Sequence, residues 1–361
     1  MIPLMSPHTS PRPEAPTAVV DYPARDMTIT VGAGMTFGEL SRILTQENQQ
    51  LPIDVADDAL VLGQIVADDM CGPRQFGYGT LRDYVIGIEA VDRRGRVFHA
   101  GGRVVKNVAG YDLCRLLIGS RGKLGTITQL TFKLKPIPVL QTLLVAGFRS
   151  SKDLESALNR LNISATCPVI LDVVGRSVHA ALMQDAVPEL VCTLPCADAA
   201  ALLVVGYEGP KAACEWQANT FREELAGTAS WVHQAANPQA TTLYCRRAQS
   251  LSRPSPDKAW LVRFITLPSR VVANLTSLQE AGCLVFGRAL NGILFVSPAA
   301  VSAEGGRSDS EPESMTLLQS LVSDGVGSLD VLQSASARST QSSAAVRRIS
   351  QQLHELLGSS E

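Results

Sequence analysis

The chain has 361 residues, 45% of them apolar, and its 32 Lys and Arg against 34 Asp and Glu give a formal net charge of −2. That length supports two domains with separate cores, and the balanced charge leaves no electrostatic footprint for nucleic acid or an anionic membrane surface. No apolar run approaches the roughly 20 residues needed to span a bilayer, so the expected location is the cytoplasm. Eight cysteines, at 71, 114, 167, 192, 196, 214, 245 and 283, are scattered through a chain too large to need disulfide staples and read as buried free thiols. Cys192 and Cys196 are four apart without a third cysteine at cluster spacing, which argues against an iron–sulfur or zinc site.

Residues 1–17 hold prolines at 3, 7, 11, 13 and 16 and no apolar core, the pattern of a disordered lead rather than a signal peptide. Order is expected from about Ala18. Met27–Val31 reads as a strand closed by Gly32-Ala33-Gly34, and Thr36 with Glu39 has the spacing of a capping box ahead of a helix with Leu40, Ile43 and Leu44 on its apolar face. A short helix, Leu60–Ala67, leads into Cys71–Asp83, an irregular loop carrying Gly72, Arg74, Tyr78, Gly79, Arg82 and Asp83. This composition suits holding a polar ligand against backbone amides, and it equally suits a plain surface loop. Tyr84–Val91 and Arg96–Ala100 form a hairpin around Asp92-Arg93-Arg94-Gly95.

The stretch from Arg103 to Pro136 organises the first half. It predicts a helix over Tyr111–Ile118, with Leu113, Leu116 and Leu117 on one face and Asp112 in its first turn. It also predicts a strand in which Leu130, Phe132 and Leu134 alternate with Thr131, Lys133 and Lys135. Between them lies Gly119-Ser120-Arg121-Gly122-Lys123-Leu124-Gly125, where three glycines let the backbone turn sharply and approach a ligand. The loop lacks the Gly-Lys-Ser/Thr ending of a phosphate-binding Walker loop. It follows a helix and precedes a strand, which is the reverse of a Rossmann fingerprint.

Beyond Pro138, strands and helices alternate. Strands are expected at Val139–Phe148, Pro168–Val174, Val178–Gln184, Leu202–Tyr207 and Trp260–Leu267, with helices over Ser151–Asn162, from Pro210 and from Ser269. A hairpin, Leu284–Leu290 and Ile293–Ser297, is expected to turn through Asn291-Gly292 as a type I′ turn. The order implies an antiparallel sheet covered by helices on one face. Residues 298–315 read as a flexible loop, and Ser342–Leu357 as a final helix. No two of the five histidines, at 8, 99, 179, 233 and 354, are spaced as a local metal pair. Arg246, Arg247, Arg263 and Arg288 are cations suited to a carboxylate, with nothing in the sequence to separate them from solvated or paired arginines. No catalytic residue is identifiable.

The segment Val105-Lys106-Asn107-Val108-Ala109-Gly110-Tyr111-Asp112-Leu113, with the glycine loop and strand after it, resembles the second half of the FAD-binding domain of the vanillyl-alcohol oxidase (PCMH-type) flavoproteins. Within that family it is most similar to the FAD-binding subunits of bacterial glycolate oxidases. The resemblance implies an α+β protein: a PCMH-type FAD-binding domain at 18–138, an α+β cap domain with an antiparallel sheet at 139–297, a loop at 298–315 and a C-terminal segment at 316–361. It implies non-covalent FAD held by Gly63, Gly72, Tyr78, Gly79, Arg82, Asp83, Lys106, Asp112, Gly119, Ser120, Gly122, Gly125 and Ile127, several through the main chain, with no metal. It further implies partners: a sister FAD-linked subunit that oxidises glycolate, and an iron–sulfur subunit that receives the electrons. Attachment at the inner membrane would then be peripheral, through those partners.

Three departures accompany the resemblance. Gln64 stands where the family has a second glycine, the family's first subdomain with its pyrophosphate loop is largely missing ahead of Asp21, and the Asp-Pro and Asn-Pro-Gly ending is absent. They leave open a second reading, a flavin-free scaffold that keeps the fold as a complex interface. A stand-alone flavin oxidase is disfavoured, because the cap has no recognisable acid/base or metal constellation.

Overall fold

The structure, a computed structural model, describes residues 15–92, 94–102, 112–189, 199–255, 260–298, 317, 320–321 and 327–332. The chain divides between Pro138 and Val139 into two compact units.

In the first unit a five-stranded antiparallel sheet runs in the order β1 (Val19–Asp21), β2 (Thr28–Gly32), β6 (Thr126–Lys133), β4 (Val85–Val91), β5 (Val97–Gly101). Gln49–Gln50 (β3) and Lys135–Pro136 (β7) form a separate small pair. The backbone is engaged before Ala18, since the Gly34 N–H donates to the Pro16 carbonyl at 2.9 Å. α1 (Phe37–Gln46) begins at the expected capping box: the Thr36 hydroxyl accepts from Glu39 N and the Glu39 carboxylate accepts from Thr36 N. Leu40 and Leu44 of α1 join Ile29, Val31, Leu130 and Phe132 in the core. Burial of each such side chain stabilises by about 1.5–3 kcal/mol.

α2 (Leu62–Ala67) packs against β6 and buries Leu62, Ile65 and Val66. The segment expected as one irregular loop contains two single-turn helices, α3 (Gln75–Tyr78) and α4 (Leu81–Tyr84). The second is started by a box that sequence reading missed, in which Thr80 and Asp83 cap each other. α5 (Leu113–Leu117) is shorter than the expected 111–118 and begins after its cap, Asp112. Its leucines are not buried together: Leu117 is buried, whereas Leu113 and Leu116 are exposed.

The second unit is built on an eight-stranded, wholly antiparallel sheet. Its order is β11 (Trp231–Gln234), β8 (Leu140–Phe148), β10 (Ala201–Gly209), β9 (Ile170–Gly175), β13 (Cys283–Arg288), β14 (Ile293–Pro298), β12 (Leu261–Thr266), β15 (Gly327–Leu332). Among the described residues the helices beside it include α6 (Ser151–Asn162), α7 (His179–Met183), α8 (Lys211–Glu224), α9 (Ala240–Leu251) and α10 (Val271–Glu280).

Three expectations are corrected here. Residues expected as a strand over 178–184 form helix α7, because Val178, Leu182 and Met183 are the buried positions, a helical spacing, in a run of good helix formers. Helices cover both faces of the sheet rather than one. Gly175 faces Gln279 of α10, while Asp172, three residues away and so on the other face, bonds to Tyr244 of α9. This explains why β9 is buried along its whole length. The β13–β14 connection is not type I′. Only Gly292 has a positive φ, +69°, and its N–H donates to Ala289, so the turn spans four residues with glycine last.

Of the loop expected at 298–315, Pro298 ends β14 and the rest lies outside the described residues, as does the final helix expected at 342–357. Among the described residues no helix is long and apolar enough to cross a membrane.

Candidate functional site: two glycine-rich segments of the first unit

The loop after α5 turns back on α2. Gly119 N–H donates to the Val66 carbonyl at 3.1 Å and Arg121 N–H to Ala67 at 2.8 Å, which use acceptors left over at the helix end. Gly119 and Gly122 both hold positive φ, +79° and +71°, and where Gly122 would carry a Cβ there is open space. Between them the Ser120 hydroxyl is buried without a hydrogen-bond partner among the described residues. A buried orphan hydroxyl is rare and costs about 1–3 kcal/mol unless a ligand satisfies it. Gly125 has a different reason to be glycine: a Cβ there would press on the Val91 carbonyl at 2.7 Å, so it serves the sheet. Ile127 follows, buried on β6.

The second segment, 71–84, is fixed by a residue that sequence reading missed. Asp54, 1% exposed at its side chain, accepts from the Arg74 guanidinium at 2.6 Å and from Arg74 N at 2.9 Å. Gly72 lies against the same carboxylate, where any Cβ would collide with it. No local pattern could have paired positions 20 residues apart. Downstream, Gly79 has φ +89° and ψ −163°, and the Asp83 carboxylate caps α4 by accepting from Thr80 N at 2.7 Å. The Tyr84 hydroxyl donates to the Tyr78 carbonyl at 2.7 Å. Burial, with the Asp83 carboxylate next, pushes that hydroxyl up to about 12.

The thirteen residues expected at the cofactor therefore fall into groups. Gly119, Ser120 and Gly122 gather at the end of α2, with Gly63 earlier on that helix against Ala33. Gly72, Tyr78, Gly79 and Asp83 line the second segment, and Asp69 links the two, its Cβ 3.4 Å from the position of a Gly119 Cβ. Arg82 is exposed on α4. Asp112 caps α5 through Arg115 N and pairs with the Arg115 guanidinium at 3.0 Å, a local task at an exposed position. Lys106 lies outside the described residues. An orphan hydroxyl between two left-handed glycines, beside a second glycine-rich segment, is a donor set that fits a dinucleotide.

In the second unit the candidate arginines are engaged. Arg247 donates to the Ala181 carbonyl at 2.7 Å and Arg263 to Asp330 at 2.8 Å. Arg288, fully buried, donates to Asp172 at 2.6 Å, lies 5.6 Å from the Phe295 ring centroid and has no hydrogen-bond partner for Nε or Nη2 among the described residues. Tyr244 donates to the same Asp172 oxygen at 2.8 Å; burial, then that carboxylate, holds its hydroxyl well above the usual range. His233 meets Glu189 at 3.0 Å and His179 meets the Arg176 carbonyl at 2.6 Å. Among the described residues no His, Cys, Asp and Glu are grouped to hold a metal.

A family model described as FAD binding domain matches residues 16–101. Glycolate oxidase subunit GlcE of Escherichia coli is 35% identical over 122 residues, 33% of this chain and 35% of that one. D-lactate dehydrogenase of Archaeoglobus fulgidus is 35% identical over 122 residues, 34% of this chain and 28% of that one. Glycolate oxidase subunit GlcD of Bacillus subtilis is 29% identical over 167 residues, covering 46% and 33%. The chain spans about a third of the length of the curated relatives it matches. A solved alkyldihydroxyacetonephosphate synthase superposes with a TM-score of 0.60 at 17% identity, over 87% of this chain and 61% of that one, a likeness of fold. Residues 16–101 thus carry an FAD-binding domain of the PCMH type, and the chain is similar to FAD-dependent oxidoreductases named glycolate oxidase subunits and D-lactate dehydrogenases.

Proposed function

We propose that this chain is the FAD-binding subunit of a glycolate oxidase-like complex that oxidises a 2-hydroxy acid. It binds FAD non-covalently and assists electron transfer from a sister FAD-linked subunit to an iron–sulfur subunit, the assembly being cytoplasmic or held at the inner membrane through those partners. The observation that carries the reading is the orphan Ser120 hydroxyl between Gly119 and Gly122, in the same compact unit as residues 16–101, which match an FAD binding domain. When bound, the flavin supplies the redox centre. The chain's own part is to bind and orient it: the Gly72 and Gly122 N–H groups, which have no acceptor among the described residues while most of their neighbours' do, donate to its polar groups, and Ser120 adds a side-chain donor.

One observation favours a flavin-free scaffold instead. Asp68 and Asp69 close α2 beside Gly119, and two carboxylates at the negative end of a helix oppose a pyrophosphate. Affinity purification of the tagged chain from its own cells separates the readings. The complex reading expects flavin absorbance and two co-purifying proteins, a second flavoprotein and a cysteine-rich iron–sulfur protein. A colourless chain with those partners supports the scaffold, and a chain without them overturns both.

A further inference from the structure

Lys133, at the end of β6, and Lys135, in β7, flank the buried Leu134, so the two-residue period of extended backbone turns both ammonium groups to one side. There they line a cleft of about 410 Å³ with Phe76, Tyr78, Asp83 and Tyr84. That volume falls within the usual range for small-molecule sites. Among the described residues Asp83 is the only acid in the lining, and its carboxylate is already occupied by Thr80 N at 2.7 Å and the Thr80 hydroxyl at 3.2 Å. The Tyr84 hydroxyl is spent on the Tyr78 carbonyl. Neither lysine is ion-paired among the described residues. The cleft therefore offers two uncommitted cations against aromatic walls: charge for an oxyanion and apolar surface for a short carbon skeleton.

We propose that this cleft is a carboxylate-binding subsite, in which Lys133 and Lys135 hold the carboxylate of a small organic acid beside the Tyr78–Gly79 segment. The proposal deepens the functional reading above and rests on it, because that segment is also assigned to the flavin.

The test is calorimetric titration of the full chain, loaded with FAD, with oxalate and separately with inorganic phosphate, while absorbance reports the flavin. Oxalate is expected to saturate one site per chain. Lys133→Gln with Lys135→Gln weakens it by about tenfold per lysine, the worth of one charge-assisted bond. Lys133→Arg with Lys135→Arg retains it, and flavin content stays unchanged in every variant. A flavin-loaded chain that takes no oxalate, or whose double Gln variant binds oxalate as well as the parent, overturns the subsite. So does preference for phosphate, or displacement of oxalate as FAD loads, since the cleft would then serve the flavin's own phosphates. A chain that binds oxalate through the lysines yet never loads FAD keeps the subsite and removes the flavin reading.

Discussion

Asp54 and Arg74, 20 residues apart, hold the first unit's glycine-rich segment in place through one carboxylate that takes both the guanidinium at 2.6 Å and the backbone N–H at 2.9 Å. Removing one member of so buried a pair typically costs about 3–5 kcal/mol, because the other charge is left without compensation. Asp54→Ala is therefore expected to lower unfolding free energy by about that amount and to abolish FAD uptake. Urea denaturation and flavin absorbance check the two effects separately.

Gly79 combines φ +89° with ψ −163°, a region that essentially only glycine occupies, and a Cβ there would stand 2.5 Å from the Asp83 carboxylate. Gly79→Ala should cost about 1–3 kcal/mol of stability and loosen the α4 cap. A thermal melt of the variant beside the parent measures it.

Ser120 offers a sharper discrimination. In the free protein its buried hydroxyl has no partner among the described residues, so Ser120→Ala removes an unsatisfied group and should leave stability unchanged or raise it by about 1 kcal/mol. If that hydroxyl bonds the flavin, FAD affinity falls by about threefold to tenfold in the same variant. Stability and affinity moving in opposite directions is a signature that general damage to the fold does not produce.

The Asp172, Arg288 and Tyr244 cluster is fully buried at the centre of the eight-stranded sheet. Arg288→Met alone should destabilise by about 3–5 kcal/mol. Asp172→Leu, Arg288→Met and Tyr244→Phe together should recover most of that loss, since an apolar replacement of a whole buried network is often neutral or better. Denaturant midpoints of the single and triple variants give the comparison.

Two thiols predict a pH dependence. Burial first, then the nearby Asp69 carboxylate, pushes Cys71 up to about 12, and burial with Asp112 pushes Cys114 up to about 11. The unfolded chain ionises these thiols at its ordinary lower value while the folded chain keeps its protons. Their contribution to stability is therefore complete below about pH 8.5 and is lost as pH rises towards 11 to 12. Iodoacetamide at pH 8 should accordingly modify exposed Cys167 well before Cys71 or Cys114. Mass spectrometry of peptides after timed alkylation reads the order.

The sequence was most legible where a signal is local. The Thr36 and Glu39 box and the span of α6 behind its Ser150 cap each depend on residues within one turn or one helix. The alternation expected in β6 holds only in part, since Thr131 is buried between Leu130 and Phe132. Legibility failed where a residue answers to distant partners. Residues 178–184 form a helix because Leu182 and Met183 have a core to enter, and helices lie on both sheet faces because Asp172 meets Tyr244 across 72 positions. In the site, Gly119 and Gly122 were visible as a glycine loop. The docking of that loop on Val66 and Ala67, the Asp54 clamp and the lysine cleft come from tertiary contacts that no window of sequence contains.

The central claim, that this chain holds a flavin through its 72–79 and 119–125 segments, is tested most directly by titrating the purified chain with FAD and following flavin absorbance and fluorescence. The account predicts saturable uptake of one FAD per chain, weakened in Ser120→Ala and lost in Asp54→Ala. Absence of uptake by the folded parent chain, alone and in its complex, would contradict it.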